Sequence, residues 1–104
     1  MITIENKKTY RGDGVYIGRP SLLGNPYVIG KDGTRDQVIG LYRSWLWRQI
    51  ELRSEVYQEL RRLAEKANEE DMVLICWCKH PKFPTGCHGD VVKRAIEWLH
   101  SIES

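Results

Sequence analysis

Residues 74–90, which read LICWCKHPKFPTGCHGD, are the stretch that decides the fold. They contain all three cysteines and two of the three histidines of the 104-residue chain. The apolar run that begins at Met72 predicts a strand over residues 72–77, buried on both faces. After the stretch, apolar residues recur at helical spacing, and Asp90 is placed to cap that helix. The stretch is therefore predicted to be a strand end, a proline-containing loop and a helix start.

The region before this strand predicts two helices. Thr34 and Gln37 have the spacing of a capping box, in which each side chain bonds to the backbone of the other residue. The apolar stripe that follows comprises Val38, Leu41, Tyr42, Trp45, Leu46 and Ile50. A second stripe with a different phase comprises Val56, Leu60, Leu63, Ala64 and Ala67. The change of phase near Arg53 and Ser54 predicts a second helix capped by Ser54, or a kink.

Short extended segments at residues 2–4 and 15–17 precede the helical region. Strands separated by long helical connections favour parallel pairing, because a parallel partner requires a crossover. The order predicts one α/β domain over residues 1–104, a Rossmann-like sandwich in which helices flank a small, mainly parallel sheet. Sheets of this kind bind ligands at the carboxyl ends of their strands. If the strands at residues 15–17 and 72–77 are neighbours, the loops that follow them face each other across a cleft.

The first of these loops, residues 18–26, reads GRPSLLGNP. Its prolines and glycines predict an irregular, rigid segment directly after a strand. A guanidinium at Arg19 can hold a phosphate or carboxylate with two parallel hydrogen bonds, and Ser21 and Asn25 add neutral polar groups. We expect a pocket for a small, nucleotide-like or other anionic molecule. The alternative is that Arg19 pairs with a surface acid and that the Gly-Asn-Pro turn serves only the backbone.

The second loop ends in Cys87-His88-Gly89-Asp90 at the predicted helix start. Amides at a helix N-terminus attract anions and lower the pKa of a nearby thiol. In this interpretation Cys87 is a reactive thiolate, His88 a general acid or base, and Asp90 orients a neighbour or only caps the helix. Gly89 would let a ligand approach the backbone. The protein would then be an enzyme, although the residues name no reaction.

The same loop permits a metal site instead. Cys76 and Cys78 would share one face of an extended segment, and with Cys87 and His88 they supply three sulfurs and one nitrogen. Such a set binds structural zinc, although the spacing differs from the usual zinc patterns; His80 is an alternative fourth ligand. Three cysteines also permit an iron–sulfur cluster. Cys76 has a simpler interpretation as a buried core thiol.

Charge and hydropathy exclude some classes of protein. Sixteen basic and fourteen acidic residues are mostly interleaved, with a net charge of +2, which gives little support to a nucleic-acid surface. The chain has neither a membrane-length apolar run nor the apolar core of a signal peptide, so we expect an intracellular protein without membrane contact. The oligomeric state is not predicted. An interaction module without chemistry is a third possible class.

Both loops resemble those of a known family. VYIGRPSLLGNPYVIGKDGTRDQVIGLYRSWL and LICWCKHPKFPTGCHGDVV are similar to segments of domain of unknown function 4326, whose members are small proteins of phages, bacteria and archaea. The matching residues are Arg19, Asn25, Cys76, Cys78, Cys87, His88 and Asp90. The resemblance covers residues 15–98 and implies the cytoplasm of a prokaryote or of a virus-infected cell, but no established activity. The insert KHPKFPTG is longer than in relatives, which leaves the ligand geometry and the role of His80 open.

Overall fold

The structure is a computed structural model that describes residues 1–76 and 88–103. Its elements in chain order are β1 (Ile2–Asn6), β2 (Val15–Tyr16), α1 (Arg35–Leu52), α2 (Glu55–Glu69), β3 (Met72–Cys76) and α3 (His88–Glu103). This order confirms the predicted small α/β fold. None of these helices combines the length and the apolar character needed to traverse a lipid bilayer.

The three described strands form one parallel sheet in the order β1-β3-β2. Leu74 in the central strand pairs with Ile4 on one side and Val15 on the other. The pairing continues beyond β2, because the Ile17 amide donates to the Ile75 carbonyl at 2.9 Å. β2 and β3 are therefore neighbours, and the chain segments that follow them leave the sheet at the same edge.

The two faces of β3 differ in their burial. Met72, Leu74 and Cys76 are buried and join a single core cluster with residues of all three helices. Val73 and Ile75, which alternate with them and point to the opposite face, are only half-buried. The expectation of burial on both faces therefore holds for one face alone.

The predicted start of α1 is confirmed. The Gln37 amide donates to Thr34 Oγ1 at 3.3 Å, and the Thr34 amide donates to Gln37 Oε1 at 2.9 Å. The buried residues of α1 recur every four positions and are Val38, Tyr42, Leu46 and Ile50. Leu41 was wrongly placed in this stripe, since it is 40% exposed. The buried row is one residue wide here, and Leu41 lies to one side of it.

A left-handed residue separates α1 from α2. Arg53 has φ 52° and ψ 43°, and the amides of Arg53 and Ser54 donate to the last carbonyls of α1, at Ile50 and Gln49. The predicted second helix is confirmed, but Ser54 makes no side-chain cap. Its hydroxyl donates back to the Gln49 carbonyl at 3.4 Å instead.

The last helix begins earlier than predicted. α3 includes His88 and Gly89, so Asp90 lies within the first turn and is not the N-cap residue that the sequence predicted. The carboxylate remains near the positive end of the helix dipole, where a negative charge is favourable.

Candidate functional site

The base of the GRPSLLGNP loop touches the first residue of α3. His88 Nε2 lies 2.8 Å from the carbonyl oxygen of Ile17, in a buried hydrogen bond between residues 71 positions apart. Ile17 ends the pairing with β3 and directly precedes the loop. The two segments that the sequence places at one edge of the sheet therefore meet, at least where α3 begins. Residues 77–87, which form most of the second loop, lie outside the described residues.

The surroundings of His88 define its protonation. A carbonyl oxygen only accepts hydrogen bonds, so Nε2 carries the proton and donates to Ile17. Burial is the largest cause of a lowered His88 pKa; Arg19 lowers it further, while the bond to Ile17 and the charge of Asp90 act in the opposite direction. The imidazole is therefore neutral near pH 7, with Nδ1 unprotonated. Any proton transfer or metal binding by His88 would have to use Nδ1.

Tyr42 of α1 supports both segments at once. Its ring makes an edge-to-face contact with the His88 ring, with centroids 5.2 Å apart and an interplanar angle of 82°. Its buried hydroxyl donates to the Leu23 carbonyl of the GRPSLLGNP loop at 2.7 Å. Sequence reasoning assigned Tyr42 to the core alone and missed this role. A tyrosine in the middle of a buried stripe could have predicted it, because a buried phenol needs a hydrogen-bond partner.

The GRPSLLGNP loop is closed by its own backbone. The Ser21 amide donates to the Gly18 carbonyl at 2.8 Å, and the Gly24 amide donates to the Ser21 carbonyl at 3.0 Å. The Tyr16 hydroxyl donates to the Arg19 carbonyl at 2.7 Å. A Cβ atom on Gly24 would lie 2.9 Å from both Cα and N of Arg19, so only glycine permits this approach. The loop therefore presents its side chains from a fixed backbone.

The predicted ligand-binding residues differ in their exposure and in the hydrogen-bonding groups that a ligand could contact. Arg19 is exposed, and its charge reaches His88. Ser21 is half-buried, and its Oγ atom is buried without a hydrogen-bond partner among the described residues. The Asn25 oxygen accepts from the Tyr27 amide at 2.9 Å, so its NH₂ group is the part that can donate to a ligand. Gly89 is buried in the first turn of α3.

The structure describes only some of the residues that were predicted to bind a metal or to act as a nucleophile. Cys76 is fully buried at the end of β3 and belongs to the core cluster. Cys78 and Cys87, and with them the predicted nucleophile and two of four predicted metal ligands, lie outside the described residues, as does His80. Within residues 1–76 and 88–103, no three His, Cys, Asp or Glu side chains are close enough to share a metal ion. The metal site and the role of Cys87 thus stay predictions.

These features define a small α/β protein in which a rigid loop and a helix start meet at the carboxyl edge of a parallel sheet. The sequence matches the family described as Domain of unknown function (DUF4326) over residues 2–98, and the chain belongs to that family. The match includes β1, so it extends further than the resemblance of the two loops. Comparisons with curated proteins and with solved structures found no match.

Proposed function

We propose that this protein binds a small anionic, nucleotide-like molecule at the carboxyl edge of the sheet. We call this position the sheet-edge site; it comprises Arg19, Ser21, Asn25 and Gly89. The observation that carries the proposal is the 2.8 Å hydrogen bond between His88 and the Ile17 carbonyl. It holds the first turn of α3 beside the GRPSLLGNP loop, and a helix N-terminus and a guanidinium both favour negative charge.

The local charges support an anion rather than a cation. Arg19 is near enough to lower the pKa of His88, and the neutral imidazole adds no charge. The negative charge of Asp90 would repel an anion, but Asp90 is exposed and also lines a different cleft, described below. An anion at Arg19 would therefore meet a positive guanidinium and the amides of the first helical turn.

The rigidity of the loop favours binding as well. Its backbone is fixed by internal hydrogen bonds and by Tyr42, so little conformational entropy would be lost when a ligand binds. The Ser21 hydroxyl is already removed from solvent and lacks a partner in the described part of the chain. Since solvent does not reach Ser21 Oγ, the direct polar side-chain contacts of the proposed site come from Arg19 and Asn25.

A catalytic role would add the residues at the start of α3. Cys87 is then the proposed nucleophile, and His88 accepts or returns a proton through Nδ1, which its low pKa favours in the unprotonated form. Asp90 would orient a neighbouring group. The sheet-edge site does not depend on this step, and a protein that only binds the ligand would satisfy the main proposal.

Zinc or iron–sulfur binding is the second candidate. Cys76 and His88 are both buried and stand at the two ends of the segment that contains Cys78 and Cys87. Elemental analysis of freshly purified protein, with an absorption spectrum taken without oxygen, tests it. We expect close to one zinc per chain, or cluster absorption, if the candidate is correct. Protein that refolds fully after chelation and contains only trace metal would contradict it.

The main proposal is tested with Arg19→Ala and a matched variant, Arg11→Ala, which removes another exposed arginine from a loop outside the site. Thermal unfolding is measured with inorganic phosphate and a panel of nucleotides. A charge-assisted hydrogen bond contributes about 1.5–3 kcal/mol, so we expect Arg19→Ala to weaken binding at least tenfold. Arg11→Ala should bind as the wild type does. Equal ligand-induced shifts in Arg19→Ala and wild type would refute the sheet-edge site.

A further inference from the structure

A second cleft lies between α1 and α3, away from the GRPSLLGNP loop. Its volume is about 600 Å³, within the range of small-ligand sites. The side chains that matter for its chemistry are Arg43, Trp47, Asp90, Lys93, Arg94 and Glu97. We call it the α1–α3 cleft. Of the predicted ligand-binding, catalytic and metal-binding residues, only Asp90 also lines this cleft, so the cleft can be tested separately.

Among the described residues, the cations of the α1–α3 cleft are not paired with acids. Arg43, Lys93 and Arg94 make no salt bridge within residues 1–76 and 88–103. Arg62 on α2 behaves differently, since Glu59 on the same helix forms two hydrogen bonds with it. Three positive groups on two helices therefore converge on one cleft and remain available to an anion.

An indole ring forms part of the wall. Trp47 is half-buried and packs against the hydrophobic core. Its ring makes an edge-to-face contact with Trp98 of α3, with centroids 5.0 Å apart and an interplanar angle of 81°. The indole is thus held between the two helices rather than free in solvent. A fixed aromatic surface next to cations suits a planar ring that is joined to a negatively charged group.

Two carboxylates narrow the class of ligand. Asp90 and Glu97 oppose the three cations, so the charged groups sum to three minus two, or +1. A simple anion would be partly repelled. A planar ring with N–H groups can donate to a carboxylate while a phosphate on the same molecule meets the arginines.

We propose that the α1–α3 cleft binds a nucleotide, either free or within a single strand. The base packs on Trp47, and its N–H groups donate to Glu97. The phosphate accepts hydrogen bonds from Arg43, Lys93 and Arg94. The site is independent of the sheet-edge site and does not require that proposal to be correct.

Calorimetric titration tests the cleft with four probes: AMP, adenosine, ribose phosphate and a short single-stranded oligoadenylate. AMP should bind about tenfold or more tightly than adenosine, which lacks the phosphate, or ribose phosphate, which lacks the base. The double variant R43A/R94A should weaken AMP binding by about tenfold or more. Arg48→Ala, which removes an exposed arginine of α1 outside the cleft, should bind as the wild type does. Much tighter binding of the oligoadenylate than of AMP would identify a strand as the source of the nucleotide.

Fluorescence gives a readout specific to the indole. AMP should quench tryptophan emission in the wild type, and Trp47→Phe should lose most of that quenching while it still binds AMP in the calorimeter. Thermal unfolding checks that each variant folds. Arg43 and Arg94 are exposed, so their removal should leave the midpoint nearly unchanged.

Three results would overturn the inference. The first is that folded wild-type protein binds neither AMP nor the oligoadenylate. The second is that Arg48→Ala weakens binding as much as R43A/R94A, which would indicate diffuse attraction to positive charge. The third is that Arg19→Ala abolishes AMP binding while R43A/R94A retains it, which would place the nucleotide at the sheet-edge site. Loss of phosphate binding in Arg19→Ala with intact AMP binding would support both proposals, because the two sites would then be distinct.

Discussion

Two consecutive irregular segments, residues 18–26 and 27–33, have similar glycine-rich compositions but are built differently. The first is attached to the core by the Tyr42 hydroxyl and has no space for a Cβ atom at Gly24. The second closes on itself through the Ile29–Gly33 bridge. Gly30 there has φ 90° and no atoms within 4 Å of a built Cβ. Glycine provides space in the first segment and a backbone angle in the second.

This difference separates a loop that is attached to the core from one that closes mainly on itself. Residues 18–26 are attached to α1 through Leu23, and Ile17, which directly precedes them, is bonded to β3 and α3, so their shape depends on the whole fold. Residues 27–33 depend mostly on local hydrogen bonds, and Ile29 is 54% exposed. Substitutions that support the first segment should therefore affect global stability, and those in the second should have small, local effects.

The largest effect is expected from His88→Ala. The change removes a buried ring that contacts Tyr42 and leaves the Ile17 carbonyl without its donor, so we expect a loss of about 3 kcal/mol in the free energy of unfolding. Urea denaturation measures it. The control is His100→Ala, which removes a half-buried histidine from the last turn of α3 and should cost well under half as much. Similar losses in both variants would show that the His88–Ile17 bond is unimportant.

Tyr42→Phe comes next, at about 2 kcal/mol, because the Leu23 carbonyl would lose its buried donor while the ring remains. Tyr10→Phe is the matched control, since its hydroxyl donates to the Asp13 carbonyl at 3.0 Å in an exposed bond. That variant should lie within about 0.5 kcal/mol of wild type. Chemical denaturation of the three proteins decides the comparison, and a Tyr10→Phe loss equal to that of Tyr42→Phe would contradict it.

Gly24→Ala should cost about 1–2 kcal/mol, because the new methyl group would press on the Arg19 backbone. Gly40→Ala provides the opposite control: it lies in α1 with no atoms within 4 Å of a built Cβ, and alanine should stabilise the helix by about 1 kcal/mol. Thermal unfolding should separate the two variants in opposite directions. If Gly24→Ala is neutral, the loop is not tightly closed. If Gly24→Ala destabilises the protein and also weakens ligand binding, the sheet-edge site depends on the closure of the loop.

The sequence predicted local structure better than it predicted contacts. The capping box of Thr34 and Gln37 follows from spacing within a short window, and the parallel α/β order follows from the order of the predicted elements. The structure confirms both. The width of a buried stripe is set by neighbouring helices, so Leu41 was misplaced. Asp90 was misplaced at the cap, because α3 already includes His88 and Gly89.

The contacts that position the site could not be predicted from the sequence. The bond from His88 to Ile17 joins residues 71 apart, and the bond from Tyr42 to Leu23 joins residues 19 apart. Hydrogen bonds to backbone carbonyls leave no pattern in side-chain types, because any residue can supply the acceptor. What the sequence did indicate was the shared edge of the sheet, which follows from topology alone.

The pH dependence of stability tests the burial of His88. Its pKa is about 6.5 in the unfolded chain and is lowered in the native state, chiefly by burial and further by Arg19, while Ile17 and Asp90 oppose the shift. Below about pH 6.5 the unfolded chain therefore binds a proton that the native protein does not, so stability is lost as the pH falls.

The loss should grow as the pH falls below about 6.5, with an upper limit of about 1.4 kcal/mol per pH unit. Urea denaturation at several pH values measures it, with His88→Gln as the control. Glutamine has an amide NH₂ group that can donate to the Ile17 carbonyl, but it does not titrate. As the pH falls, the free energy of unfolding of the wild type should decrease relative to that of His88→Gln. A difference that is independent of pH would contradict the burial of a neutral imidazole.

Asp32→Ala should have the smallest effect, about 0.5 kcal/mol or less, because the carboxylate accepts from the Val28 amide at 2.7 Å in an exposed turn where water can replace it. Amide hydrogen exchange should quicken for residues 28–33 while protection of the Ile17 and Gly24 amides stays unchanged. If Asp32→Ala also exposed the Gly24 amide, the two irregular segments would form one cooperative unit. The GRPSLLGNP loop would then depend on its neighbouring turn as well as on the core.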